Sequence, residues 1–163
     1  MSWSVKNSNV VMNANLRAMA EAIASRVDFD IVVTSGVRTP RAQASAMKNK
    51  IARGENLRVI YANDQYADDV TAAYPDLDAM TIVTKRYADS GLGSKHTAGQ
   101  GLDLRTWDDT HVQPMIDAAT AAGYKPFLEA DHLHVDGTGP TVEKKSYLIL
   151  AILAAGALWM YKK

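Results

Sequence analysis

The chain has 163 residues, enough for one domain with a core of ordinary size. Eighteen basic residues balance eighteen acidic ones, but Lys144, Lys145, Lys162 and Lys163 lie in the tail, leaving 14 basic against 18 acidic in residues 1–143. That acidic excess argues against a nucleic-acid partner, and the lack of cysteine excludes disulfides and thiol chemistry. The first nine residues hold no apolar run suited to a secretory signal. Asn13 or Asn15 is placed to cap a helix over Leu16 to Ser25, whose Leu16, Met19, Ala20 and Ile23 recur at helical spacing. Asp30 to Thr34 reads as a short buried strand that ends in Ser35-Gly36, with Arg38 in the loop beyond. Pro40 suits the first turn of a helix reaching about Ala52. Residues 54–90 carry weaker signals: a strand over Leu57 to Tyr61, a helix over Gln65 to Ala73, and another over Leu77 to Ala88. This stretch is expected either to shape a substrate groove or simply to pack.

The chemistry concentrates in two later segments, which together hold three of the four histidines. In the first, Ser94 to Asp103, His96 and Asp103 offer an imidazole and a carboxylate, both ordinary zinc ligands. Gly99 and Gly101 between them permit a tight turn. Leu102-Asp103-Leu104 alternates as a strand does when one face is buried and the other looks into a cleft. In the second, His132 and His134 are two apart and share one face of a strand. His96, Asp103 and one of these histidines make a three-ligand set that leaves a position open, as in catalytic zinc sites. Glu129 and Asp131 are carboxylates able to accept a proton from water. Between the two segments, Trp107 to Thr110 reads as a turn into a helix over Met115 to Ala122, ended by Gly123. His111 is expected at the surface. Lys125 to Glu129 and His132 to Val135 are strand material, and Asp136 to Pro140 is linker-like.

Ser94-x-His96-x-x-Gly99-x-Gly101-x-Asp103 followed by Asp131-His132-x-His134 resembles the zinc D-Ala-D-Ala carboxypeptidase and murein endopeptidase family, related to the hedgehog fold. Gly101 stands where that family usually has alanine. Thr34-Ser35-Gly36-Val37-Arg38-Thr39-Pro40 resembles its upstream Ser-Gly-x-Arg-Ser/Thr-Pro stretch, so the likeness spans roughly residues 29–136. The resemblance implies an α+β domain over residues 1–136, a small antiparallel sheet with flanking helices. It implies that His96, Asp103 and His134 bind Zn2+, that Asp131 is the general base, that His132 stabilises the transition state and that Arg38 faces the substrate. A second register stays open, with Glu129 as base and His132 as ligand. The implied activity is that of a metallopeptidase cutting the peptide part of bacterial peptidoglycan. A binding or structural protein that keeps the metal without turnover is the alternative.

The tail adds a separate signal. After a linker at 137–145, Tyr147 to Tyr161 is a run of 15 residues without charge, within a C-terminal helix expected over 146–163. At 1.5 Å per residue it extends about 22 Å, short of the ~30 Å hydrocarbon core. Flanking lysines and the aromatics Tyr147, Trp159 and Tyr161 suit a membrane anchor, while a helix docked on protein is the competing expectation. A phage or prophage product, carried in a virion or released at lysis, would account for access to the wall.

Overall fold

The computed structural model describes residues 1–137 of the chain. Its elements run β1 (Trp3–Val5), α1 (Ala14–Ala24), β2 (Ile31–Ser35), α2 (Pro40–Ala52), α3 (Leu57–Ile60), α4 (Asp64–Ala72), α5 (Leu77–Asp89), β3 (Gly101–Arg105), α6 (Asp109–Ala121), β4 (Lys125–Leu128) and β5 (His132–Asp136). The five strands form one sheet in the order β1-β2-β3-β5-β4. The domain is thus α+β, as expected, but the sheet is mixed rather than antiparallel, because β1 pairs in parallel with β2. The expected apolar helix over 146–163 and most of the linker lie outside the described residues. Among the described residues no helix is long and apolar enough to cross a membrane.

Two apolar cores organise these elements. In the first, α1 and α6 cover one face of the sheet: Leu16, Met19 and Ile23 pack with Val33, Leu102, Leu104, Leu133, Val135 and Met115. Strand alternation then fixes the opposite face, which receives Asp103, Arg105, His132 and His134. The helical stripe read in the sequence is therefore the face that α1 buries, and Asn13 is its cap, accepting from the Leu16 amide at 2.9 Å. The second core belongs to the stretch between β2 and β3, where Ala44, Met47, Leu57, Tyr66, Ala67, Val70 and Met80 come together.

Two local expectations are corrected. Leu57 to Tyr61 is a single helical turn followed by its cap, with the Asn56 side chain accepting from the Arg58 amide and Leu57 buried in the second core. A short apolar run has no period that separates strand from helix, and here tertiary burial decides. The helix expected from Met115 begins at Asp109, capped by Asp108, with Pro114 inside it. Proline there forfeits one helical hydrogen bond without ending the helix.

Candidate metal centre

The register of the sheet builds the site. β3 and β5 run antiparallel with Asp103 opposite His134 and Arg105 opposite His132, all on the face away from α1 and α6. His96 arrives from the turn that precedes β3. Within that turn Thr97 Oγ1 donates to the Ser94 carbonyl at 2.7 Å, and Gly99 takes a φ of +67°, a conformation that disfavours any side chain. The turn is tied to the end of β2, where the Arg38 amide donates to the His96 carbonyl at 3.1 Å. Gly36 has no room for a side chain, since a Cβ would stand 2.3 Å from the Val11 carbonyl oxygen.

His96, Asp103 and His134 bring one donor atom each within 4.8 Å of one another and could hold a metal ion. The hydrogen bonds behind them fit this role. His96 donates its Nδ1–H to the Gly36 carbonyl at 2.7 Å, which leaves the Nε2 lone pair facing Asp103 Oδ1 at 3.1 Å and His134 Nδ1 at 3.2 Å. His134 Nε2 donates to Asp136 Oδ1 at 2.7 Å, and its Nδ1 faces Asp103 Oδ1 at 2.8 Å. Each imidazole therefore has its far nitrogen fixed by an acceptor, as metal-ligating histidines do. A lone pair on His96 aimed at an ionised carboxylate needs a cation between them, either the His134 proton or a metal.

Charge states follow from the surroundings. Burial raises the Asp103 carboxyl, but the neighbouring imidazoles, with the hydrogen bonds from His132 and His134, outweigh it and hold it well below 3.8. Burial keeps His96 below its ordinary value, hence neutral. Burial also opposes charge on His134, yet Asp103 and Asp136 overcome it and lift the metal-free group to about 9. His132 is likewise raised against its burial, by Asp103 first and then by Glu129 and Asp131.

The remaining expected residues are placed as follows. Arg38 reaches the cluster with its guanidinium engaged on three sides: Asp103 Oδ2 at 2.6 Å, Ser35 Oγ at 2.8 Å and Gln43 Oε1 at 3.2 Å. It orients the Asp103 carboxylate. Asp131 is largely exposed and accepts from His132 Nδ1 at 2.6 Å, on the outer side of the ring. His132 Nε2 turns inward, 3.3 Å from Asp103 Oδ1 and 3.5 Å from Glu129 Oε2. Glu129, His132 and His134 form a second group able to hold a metal. His111 stands apart, stacked on Phe29 with ring centroids 3.6 Å apart.

Several participants were not evident in the sequence. Asp136, expected to open the linker, ends β5 and orients His134. Lys50 of α2 is buried and pairs with Glu129, with Glu55 at 3.6 Å on its other side. Gln43 passes a hydrogen bond to the Tyr61 hydroxyl at 2.8 Å. Gly101 has a steric reason: a Cβ there would lie 3.1 Å from His134 Cε1 and 3.0 Å from the His96 amide nitrogen. The Asp136 contact was the most accessible of these, since it continues the strand period of His132 and His134. Comparison with family models, curated proteins and solved structures returns no match.

Proposed function

We propose that this chain is a zinc-dependent peptidase that hydrolyses peptide bonds in bacterial cell-wall murein, with the hedgehog-like fold of the family it resembles. The observation that carries this reading is the donor triad: His96, Asp103 and His134 converge, and Gly36 and Asp136 fix the far nitrogen of each imidazole. Neutral His96 and ionised Asp103 are the protonation states that ligation demands. When bound, zinc supplies a Lewis acid toward the scissile carbonyl and toward water.

The surrounding side chains have separable tasks in this reading. Arg38 keeps the Asp103 carboxylate turned to the centre. Glu129 accepts the proton of the attacking water, because it is buried beside the inward nitrogen of His132. Asp131 is the less favoured base, since it sits behind His132; there it holds the ring in place and sustains its charge. Cationic His132 then stabilises the oxygen that gains negative charge. A metal-holding protein without turnover is the second reading, and one contact favours it: Lys50 already occupies Glu129. Tyr147 to Tyr161 supports a membrane anchor by composition, and a phage or prophage origin goes with it.

The deciding experiment incubates purified murein with the full chain and identifies released fragments by mass spectrometry. New peptide termini that disappear with a chelator and with His96→Ala establish the peptidase. Stoichiometric zinc without any fragment establishes the second reading.

A further inference from the structure

Beyond the donor cluster the same sheet face carries a cation that the proposed mechanism does not use. Arg105 follows Asp103 by two residues on β3, so it projects from the same face about 7 Å further along the strand. Its neighbour across the ladder is His132. The Arg105 Nε is buried without a hydrogen-bond partner, and no carboxylate of the described residues forms an ion pair with its guanidinium. The guanidinium carbon lies instead 3.9 Å from the centroid of the Trp107 ring. Trp107 is 79% exposed, an unusual position for a large indole.

A guanidinium that served only the fold would be expected to satisfy its donors within the fold. This one lies over an aromatic ring, and no hydrogen bond or ion pair among the described residues engages its terminal nitrogens. Stacking restricts the arginine without consuming its fork of donors, which suits bidentate binding of a planar carboxylate. An extended peptide repeats every two residues at about the spacing that separates Asp103 from Arg105. On an extended peptide aligned with β3, a carboxylate two residues from the bond held at the centre would fall beside Arg105.

We propose that Arg105, braced by Trp107, is a subsite for a carboxylate on the substrate, making this a site for acidic peptides. The inference rests on the peptidase reading for its substrate, but binding can be tested without turnover. The probes are an acetylated murein stem tetrapeptide with free carboxylates and the same peptide fully amidated. Binding to the zinc-loaded full chain is followed by calorimetry and by indole fluorescence.

The free acid should bind at least tenfold more tightly than the amide, with a fluorescence change that Trp107→Phe diminishes. Arg105→Gln should bring the two peptides within twofold of each other, and Arg105→Lys should recover part of the preference. In turnover the loss should appear in KM, with kcat for the amide unchanged. Equal binding of both peptides by the unaltered chain overturns the subsite. So does an acid preference that survives Arg105→Gln, because it then comes from the metal or His132. Should Arg105→Gln fail to fold, Arg105→Lys and Trp107→Phe decide: an unchanged acid-to-amide ratio in both is a refutation. A preserved preference without murein cleavage leaves the subsite standing and removes the peptidase reading.

Discussion

Raising the pH of the metal-free protein should cost it stability, and His134 sets the window. Its ring is 12% exposed, and its two nitrogens face Asp103 and Asp136 at 2.8 and 2.7 Å. Burial opposes the charge, the two carboxylates more than compensate, and the group rises from 6.5 to about 9. Between those values the folded chain holds a proton that the unfolded chain has released. The contribution is therefore complete below about pH 6.5 and is lost as pH rises through about 9. It amounts to on the order of 3 kcal/mol, a substantial part of the ~5–15 kcal/mol typical of a domain. His132 is raised as well and acts in the same direction. His96 acts oppositely: it is held below 6.5, so its contribution is complete above that value and is lost as pH falls through the lower one. Urea unfolding of chelator-treated protein between pH 6 and 9 measures the effect, and His134→Asn should remove most of the slope. Zinc must displace the His134 Nδ1 proton, so its stabilisation should grow over the same window. A metal-free stability that changes by less than about 1 kcal/mol across it, or an equal slope in His134→Asn, would refute the reasoning.

Purified chain should hold about one zinc, as a single three-ligand site implies, and His96→Ala should lose it. Full occupancy by elemental analysis in both His96→Ala and His134→Ala rules out the triad. Glu129→Gln should keep zinc and lower kcat by about 10²- to 10⁴-fold, the usual range for a general base, whereas Asp131→Asn should act more mildly through His132. The reverse ranking in murein assays restores Asp131 as the base. Lys50→Met leaves Glu129 buried without its cation and should destabilise the fold by roughly 3–5 kcal/mol, read by urea titration; an unchanged midpoint shows the pair to be solvated. The full chain should partition with membranes and resist alkaline carbonate, and a chain ending at Gly137 should stay soluble and folded. Unfolding of that shorter chain instead assigns the tail to the core.

The donors were legible because local patterns place them. Leu102-Asp103-Leu104 alternates about a buried face, and β5 repeats the same alternation with His132 and His134, so the antiparallel register needs only to align them. The α1 stripe and the start of α2 at Pro40 were equally plain, since caps and helical periods are local signals. What supports the donors is not local. The Gly36 carbonyl and His96 are 60 residues apart, Arg38 and Asp103 are 65 apart, and Lys50 and Glu129 are 79 apart. A backbone carbonyl serving as a hydrogen-bond acceptor leaves no mark on residue identity at all. β1 escaped notice because three residues are too few to display a period.

Helix α2 shows how packing and site-building are served by one element. Gln43, Met47 and Lys50 fall at i, i+4 and i+7 on α2 and hence along one helical face. Met47 at the middle is buried in the second core with Leu57, Tyr66 and Met80. Gln43 at one end meets Arg38, and Lys50 at the other meets Glu129. In the sequence this face mixes polar and apolar residues and reads as a poor amphipathic stripe. In the fold the apolar residue fixes the helix, and the polar residues on either side meet the groups that flank the candidate metal centre. A helix anchored only by its contacts with Arg38 and Glu129 would hold them no more firmly than two surface ion pairs do. Packed on its own core, it presents Gln43 and Lys50 in fixed positions, which is the preorganisation that a charged site requires.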